Sequence, residues 1–167
     1  MNSRQGEIEE NSMVSIRPAE ESDEASIYNL ITSLMGFLPD RKSFHDVFVQ
    51  NLRDDNVLYY VAESEGCVIG FASLHIELLL RHAGLGGEIQ ELIVHETFRS
   101  KGVGAQLVSR LEQEAEKRGC VSIEVTTRKA WVETQRFYEQ MGFARTHINF
   151  TKKLIDPYKA LYRSPYR

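Results

Sequence analysis

The sequence predicts an α+β protein: one central sheet, mostly antiparallel, with helices on its faces. Three observations predict it. Apolar residues alternate at a period of two in some segments and recur every three to four residues in others, the marks of strands and of amphipathic helices. These segments follow one another as strand, helix, helix, then three strands, then helix, strand, helix, strand, so the first pairings are between sequence neighbours. No internal repeat, low-complexity tract or linker divides the chain of 167 residues, a length that suits one domain.

The elements follow in order. Val14-Ser15-Ile16-Arg17 alternates and stops at Pro18, as a short strand does. Ser22 is a candidate N-cap, with Asp23 and Glu24 in the first turn of a helix carrying Ile27, Leu30, Ile31 and Leu34. Gly36 and Pro39 end it, and Ser43 is a candidate cap for a second helix through Phe44, Val47, Phe48 and Leu52. Leu58–Ala62 and Val68–Ile76 read as strands joined by a turn at Glu65-Gly66. Residues 83–87, Ala-Gly-Leu-Gly-Gly, read as a flexible loop, and Glu88–Val94 as the next strand. A strongly amphipathic helix follows Gly102 and Gly104, with Val103, Leu107, Val108, Leu111 and Ala115 as its apolar stripe and Lys117-Arg118-Gly119 as its end. Val121–Thr126 is a strand, Trp131–Met141 a helix closed by Gly142, and Phe143–Leu154 a last strand. Residues 1–13, polar and acidic, are expected to be a disordered leader, 14–154 the single folded domain, and 155–167 a basic, aromatic tail of no assigned structure.

Composition narrows the partners. Twenty Lys and Arg stand against 24 Asp and Glu, a formal charge of −4; this argues against a nucleic-acid or anionic-membrane partner, either of which favours a basic face. No apolar run approaches the roughly 20 residues that span a bilayer. The two cysteines, Cys67 and Cys120, form no Cys-x-x-Cys pair, so a reducing, cytoplasmic setting is the simpler expectation. His75, His82, His95 and His147 show no metal-ligand spacing, and no metal site is expected.

The stretch that carries chemistry is Arg99-Ser100-Lys101-Gly102-Val103-Gly104, between an apolar strand and the amphipathic helix. Glycines at such a turn let the backbone approach a phosphate, and the free N–H groups of the first helical turn point at it. Arg99 and Lys101 can add charge. Neither familiar nucleotide motif fits. Lys101 precedes the glycine rather than following it, and Leu107 stands where a dinucleotide fold needs a third glycine. On spacing alone, a phosphate cradle and a tight turn both remain open.

Arg99-x-x-Gly102-x-Gly104 resembles the Gln/Arg-x-x-Gly-x-Gly/Ala motif of the GCN5-related N-acetyltransferase (GNAT) superfamily. Ile16-Arg17-Pro18-Ala19 resembles that family's opening strand, Gly70 falls in the middle strand of its meander, and Arg136-Phe137-Tyr138-Glu139-Gln140-Met141-Gly142-Phe143 resembles its Phe-Tyr-Glu-x-x-Gly-Phe ending. These features lie in register from Val14 to about Leu154. The resemblance implies a three-layer fold with a twisted mixed sheet, and transfer of an acetyl group from acetyl-coenzyme A (acetyl-CoA) to a primary amine in a ternary complex. It implies that the backbone of Arg99, Ser100, Lys101, Gly102, Val103, Gly104 and Ala105 holds the cofactor's pyrophosphate, and that the strand at Leu92, Ile93 and Val94 pairs with its pantetheine arm. Many members carry an Asn after the fifth strand; Thr126-Thr127-Arg128 stands there instead, and Thr127 is the candidate for that contact.

An amine attacks a thioester only when neutral, and the departing thiolate needs a proton or a countercharge. The resemblance places Tyr138 beside the sulfur as the acid. It makes Glu88, eleven positions before Arg99, the base, with Glu91 as its rival. Their odd separation points them to opposite faces of a regular strand; a bulge, frequent beside active sites, removes the difficulty. Asn51-Leu52-Arg53-Asp54, Gly87–Leu92 and Phe150-Thr151-Lys152 add a similarity to the aminoalkylphosphonate N-acetyltransferases. An aminoalkylphosphonate acceptor implies paired cations, for which Arg53, Arg81, Arg128 and His147 are candidates. Protein or peptide amines, aminoglycosides and a non-catalytic CoA-binding role are the alternatives. A homodimer through the last strand or the tail is a further expectation.

Overall fold

The alternating and helical segments fold as five strands and four α-helices in a computed structural model that describes residues 13–35, 38–152 and 154. The chain falls into two compact units, Met1–Thr127 and Arg128–Arg167, taken here in turn. The expected leader, apart from Met13, and the expected tail lie outside the described residues.

The first unit holds β1 (Ser15–Pro18), α1 (Glu24–Met35), α2 (Arg41–Leu52), β2 (Val57–Ser64), β3 (Cys67–Leu79), β4 (Gly84–Val94), α3 (Val103–Lys117) and β5 (Cys120–Val125). The sheet runs β1-β2-β3-β4-β5, antiparallel until the last pair, where β4 and β5 are parallel. Parallel pairing requires a crossover, and α3 is that crossover. The β2–β3 hairpin turns at Glu65 and Gly66, both at positive φ (52° and 75°), the backbone of a two-residue turn that follows the strands' own twist.

Successive side chains of a strand face opposite ways, and the sheet uses both faces. On one, Val61, Phe71 and Ile93 pack with Ile27 and Leu30 of α1 and Phe48 of α2. On the other, Val103, Leu107, Val108, Leu111 and Ala115 of α3 are all buried. Gly70 shows how close α3 lies: a Cβ there would meet Leu107 at 3.1 Å and Ala62 at 3.3 Å. The three layers and the mixed sheet are those the sequence predicts.

Four local readings need correction. Ser22 does not cap α1. It lies in a short 3-10 turn, Glu21–Asp23, where Asp23 accepts the backbone N–H of Glu20 and both terminal nitrogens of Arg17 at 2.7 and 2.9 Å. Asp40, not Ser43, caps α2, accepting the Ser43 N–H at 2.9 Å. The expected loop at residues 83–87 is the start of β4 from Gly84 onward. Its glycines mark close packing: a side chain on Gly86 would collide with Leu79, and one on Gly87 would meet Leu74 at 3.0 Å.

The fourth correction lies in the second unit, which holds α4 (Val132–Gln140). Gln135 anchors its first turn by donating to the carbonyls of Arg128 and Lys129, both at 3.0 Å. The expected strand from Phe143 to Leu154 is not formed among the described residues. Ile148 and Phe150 are 71% and 90% exposed. A segment of β-forming composition becomes a strand only where its backbone finds a partner and one face is covered.

Candidate active site

The turn from β4 into α3 has the backbone an anion needs. Ser100 and Gly102 take positive φ, 60° and 81°, and Gly102 is the left-handed N-cap of α3. No side chain caps the helix, and its first internal bond is Gln106 N–H to the Gly102 carbonyl at 3.1 Å. The amides of Val103, Gly104 and Ala105 are thus the orphan donors at the positive end of a fifteen-residue helix. Arg99 Nε donates to the Val94 carbonyl at 3.0 Å, tying the turn to the end of β4. Lys101 Nζ lies 5.5 Å from the centre of the Phe98 ring, and Ser100 and Lys101 are exposed.

β4 has two differently employed halves. Leu85 to Ile89 pair with β5 on one side, whereas Leu92, Ile93 and Val94 pair only with Ala72, Phe71 and Gly70 of β3. Beyond Ile89 the β5 side of β4 is an open backbone edge among the described residues, and an extended amide chain can join such an edge as an added strand. Past β5, Thr127 Oγ1 is buried with no hydrogen-bond partner among the described residues.

A bulge brings the two carboxylates together. Ala72 faces Leu92 and Leu74 faces Ile89, so one residue of β3, Ser73, stands opposite two of β4, Gln90 and Glu91. The extra residue resets the alternation. Glu88, opposite His75, and Glu91, beside Ser73, therefore share the α1–α2 face despite their odd separation. Glu88 is exposed. Glu91 is half-buried: its N–H donates to Ser73 Oγ at 3.0 Å, and the Ser73 hydroxyl donates to its carboxylate.

Glu91 lines a cleft of about 360 Å³ between α1–α2 and the sheet, walled by Phe44, Phe48, Tyr59 and Phe71, with Asn51, His75 and Gln90 as its other polar groups. Asn51 Nδ2 donates to the Tyr59 hydroxyl at 2.5 Å. Burial raises the Tyr59 pKa, the Asn51 bond opposes the rise and the Glu91 charge adds to it. Asn51 and Gln90 lie in the stretches that carry the sequence similarity, and His75 among the histidines without metal-ligand spacing, but sequence alone gives none of them a role; Ser73, inside the apolar run Phe71-Ala72-Ser73-Leu74, passes there for a spacer.

Tyr138 belongs to the second unit. It is buried, with Phe137 and Phe143 edge-on at centroid distances of 5.1 and 5.4 Å. Burial pushes its pKa up to about 12. Of the cations considered for an acidic acceptor, Arg81 is paired with Glu124 at 2.8 Å and Arg53 stands 3.9 Å from Glu21. Arg128 lies over the Trp131 ring at 4.8 Å, and His147 Nδ1 bonds the Thr146 hydroxyl at 2.7 Å. No group of three His, Cys, Asp or Glu suited to a metal occurs among the described residues, and no helix there is long and apolar enough to cross a membrane.

A mixed sheet with helices on both faces, an open edge on its fourth strand and an uncapped helix N-terminus just beyond define an acyl-CoA-dependent transferase architecture. The chain belongs to the acetyltransferase (GNAT) family, whose pattern residues 24–143 match. It is accordingly an N-acetyltransferase that uses acetyl-CoA. It is 39% identical over 139 residues to the aminoalkylphosphonate N-acetyltransferase of Salmonella typhimurium, covering 83% of this chain and 90% of that one. Among solved structures, a transcriptional regulator from Bacillus halodurans superposes with a TM-score of 0.80 at 28% identity, over 85% of this chain and all (100%) of the other. The glucosamine-6-phosphate N-acetyltransferase of Arabidopsis thaliana gives 0.75 at 26% identity, over 86% and 99% of the two chains.

Proposed function

We propose that this enzyme acetylates the primary amine of a small molecule, and that its acceptor is an aminoalkylphosphonate. The observation that carries the acceptor class is the 39% identity to an aminoalkylphosphonate N-acetyltransferase across nine-tenths of that protein (90%). A cleft of about 360 Å³ lined by Glu91 supports a small acceptor over a folded protein. A cytoplasmic homodimer belongs to the same reading, and sedimentation of the purified protein checks its size.

The residues present fit acetyl-CoA. The amides around Gly102 and Gly104 suit its pyrophosphate, with Arg99, Ser100, Lys101, Val103 and Ala105 completing the turn. The edge at Leu92, Ile93 and Val94, free among the described residues, suits the pantetheine arm, and the buried Thr127 hydroxyl, without a partner among those residues, suits a polar group of the cofactor. When bound, acetyl-CoA supplies a thioester whose acyl carbon is open to a neutral amine. Glu88 takes the proton the amine gives up. The exposed position of its carboxylate allows the proton to reach it through water.

Tyr138 serves the departing sulfur. With its pKa near 12 the phenol keeps its proton throughout the physiological range. Full transfer to an ordinary thiolate, of pKa about 8.5, is uphill. Its main contribution is therefore a hydrogen bond that strengthens as charge builds on sulfur. Tyr138→Phe is expected to lower kcat by about tenfold to a hundredfold, the worth of a hydrogen bond to a charged group, with acetyl-CoA affinity unchanged. Unchanged turnover refutes the role. Glu91 as base is the second reading, favoured by its place in the cleft and the hydroxyl that fixes it.

The deciding experiment follows CoA release with aminoalkylphosphonates, plain alkylamines, a lysine peptide and an aminoglycoside. Turnover on the phosphonates at the highest kcat/KM supports the proposal. Preference for either of the last two transfers the enzyme to another acceptor class, and acetyl-CoA binding without turnover on any amine leaves a binding module.

A further inference from the structure

Ser73 is fully buried (0% exposed) in the middle of β3, among Phe71, Ala72, Leu74 and Ile76, all buried as well. A hydroxyl in such company costs stability unless it is hydrogen-bonded, and an alanine would fit the same space. Both of its bonds go to one residue. Its oxygen accepts the Glu91 N–H at 3.0 Å and its proton goes to the Glu91 carboxylate. The first bond satisfies an amide that the bulge displaces from the β3–β4 ladder. The second satisfies the buried hydroxyl proton, and it also ties down a carboxylate that water at the edge of the cleft could otherwise solvate. It selects one direction for the Glu91 side chain.

That direction matters because of what surrounds it. The cleft is aromatic and apolar on most of its walls, and Glu91 is the one acid among its lining residues. A primary ammonium entering there loses water and gains a fixed carboxylate beside aromatic faces, the pairing that holds amines in partly dry sites. Resting on the acetyltransferase reading above, we propose that Ser73 is a positioning residue for the acceptor: it holds the Glu91 carboxylate at the bulge so that the acceptor's ammonium docks on it before the nitrogen is deprotonated. The proposed cofactor edge at Leu92, Ile93 and Val94 pairs with Ala72, Phe71 and Gly70, not with Ser73.

The test is a double-mutant cycle on Ser73 and Glu91 in the full-length protein, with amine KM, kcat and acetyl-CoA affinity as readouts. Ser73→Ala is expected to raise the amine KM about tenfold, the worth of one charge-assisted hydrogen bond, with a smaller change in kcat and acetyl-CoA affinity within about twofold. Ser73→Cys, close in volume and a weaker donor, falls between the two. In a Glu91→Gln background, Ser73→Ala adds less than about twofold, because the charge it orients is gone. An unchanged amine KM in Ser73→Ala, or the same tenfold effect in the Glu91→Gln background, overturns the proposal. If Ser73→Ala fails to fold, the Ser73→Cys arm of the cycle decides in the same terms. Wild-type protein that acetylates no amine overturns the acetyl-transfer reading and this proposal with it.

Discussion

On the α3 face of the sheet, five apolar side chains from Val103 to Ala115 are buried without a gap, and Gly70 gives up its side chain to let the helix approach. On the α1–α2 face, the cluster of Ile27, Leu30, Phe48, Val61, Phe71 and Ile93 stops short and opens into a cleft holding Glu91, His75 and Asn51. The same strands serve both faces, so the difference arises from what each helix layer contributes. A tightly packed α3 is fixed in position, and its N-terminus, the proposed pyrophosphate site, is fixed with it. The looser side has room for an acceptor. The bulge at Gln90–Glu91 turns the polar residues of β4 toward the open face.

The largest expected effect breaks the packed face. Leu111 is fully buried in α3, and Leu111→Ala should cost about 3 kcal/mol of stability, within the 2–5 kcal/mol usual for such truncations. Chemical denaturation measures it. Because the packing sets the position of the helix end, acetyl-CoA affinity should fall as well, while the amine KM changes less. A stability loss under about 1 kcal/mol would show that this face is not the rigid half.

The next effect separates the helix end from the helix body. Gly102→Val puts a β-branched side chain at a φ of 81°, where nothing lies within 4 Å to clash with it. The strain costs about 1–2 kcal/mol, and acetyl-CoA affinity should fall about tenfold to a hundredfold as the cradle of amides distorts. Titration calorimetry measures it, and an unchanged affinity would remove the pyrophosphate from this turn.

The two faces also differed in how far their sequence could be read. The α3 face is written in a single period: the stripe Val103, Leu107, Val108, Leu111, Ala115 obeys 3.6-residue spacing, and all five are buried. The turn before α3 was equally plain as a turn, because glycine at positive φ is a backbone demand that few other residues meet, while its spacing left a phosphate cradle and a tight turn both open. The α1–α2 face was harder, for reasons that are tertiary. The bulge depends on how β3 and β4 register, which neither strand reveals alone. Gly86 and Gly87 looked like loop residues because the side chains that exclude a Cβ, Leu79 and Leu74, come from the neighbouring strand. The segment from Phe143 to Leu154 has strand composition without a strand's pairing among the described residues. Asp23 was taken for an ordinary first-turn acid, and its true partner, Arg17, sits on β1.

That last pair yields the smallest effect and the sharpest control, because it lies on the looser side and has no part in the cleft. Asp23 is buried, accepts both Arg17 terminal nitrogens and the Glu20 N–H, and the Arg17 bonds hold its carboxyl below the ordinary range. A carboxylate with a lowered folded pKa stabilises the fold above its unfolded value of about 3.9, and that contribution disappears as pH falls through the folded value. Asp23→Asn should therefore cost about 1 kcal/mol near neutral pH, where a charge-assisted bond becomes a neutral one. The gap between variant and wild type should close as the medium is acidified below about pH 4. Urea midpoints across that range measure it. If the gap persists in acid, Asp23 acts through shape and not charge. If the amine KM rises with the loss of stability, the polar groups on this side cannot be divided into structural and functional sets, and the separation of Asp23 from Glu91 fails.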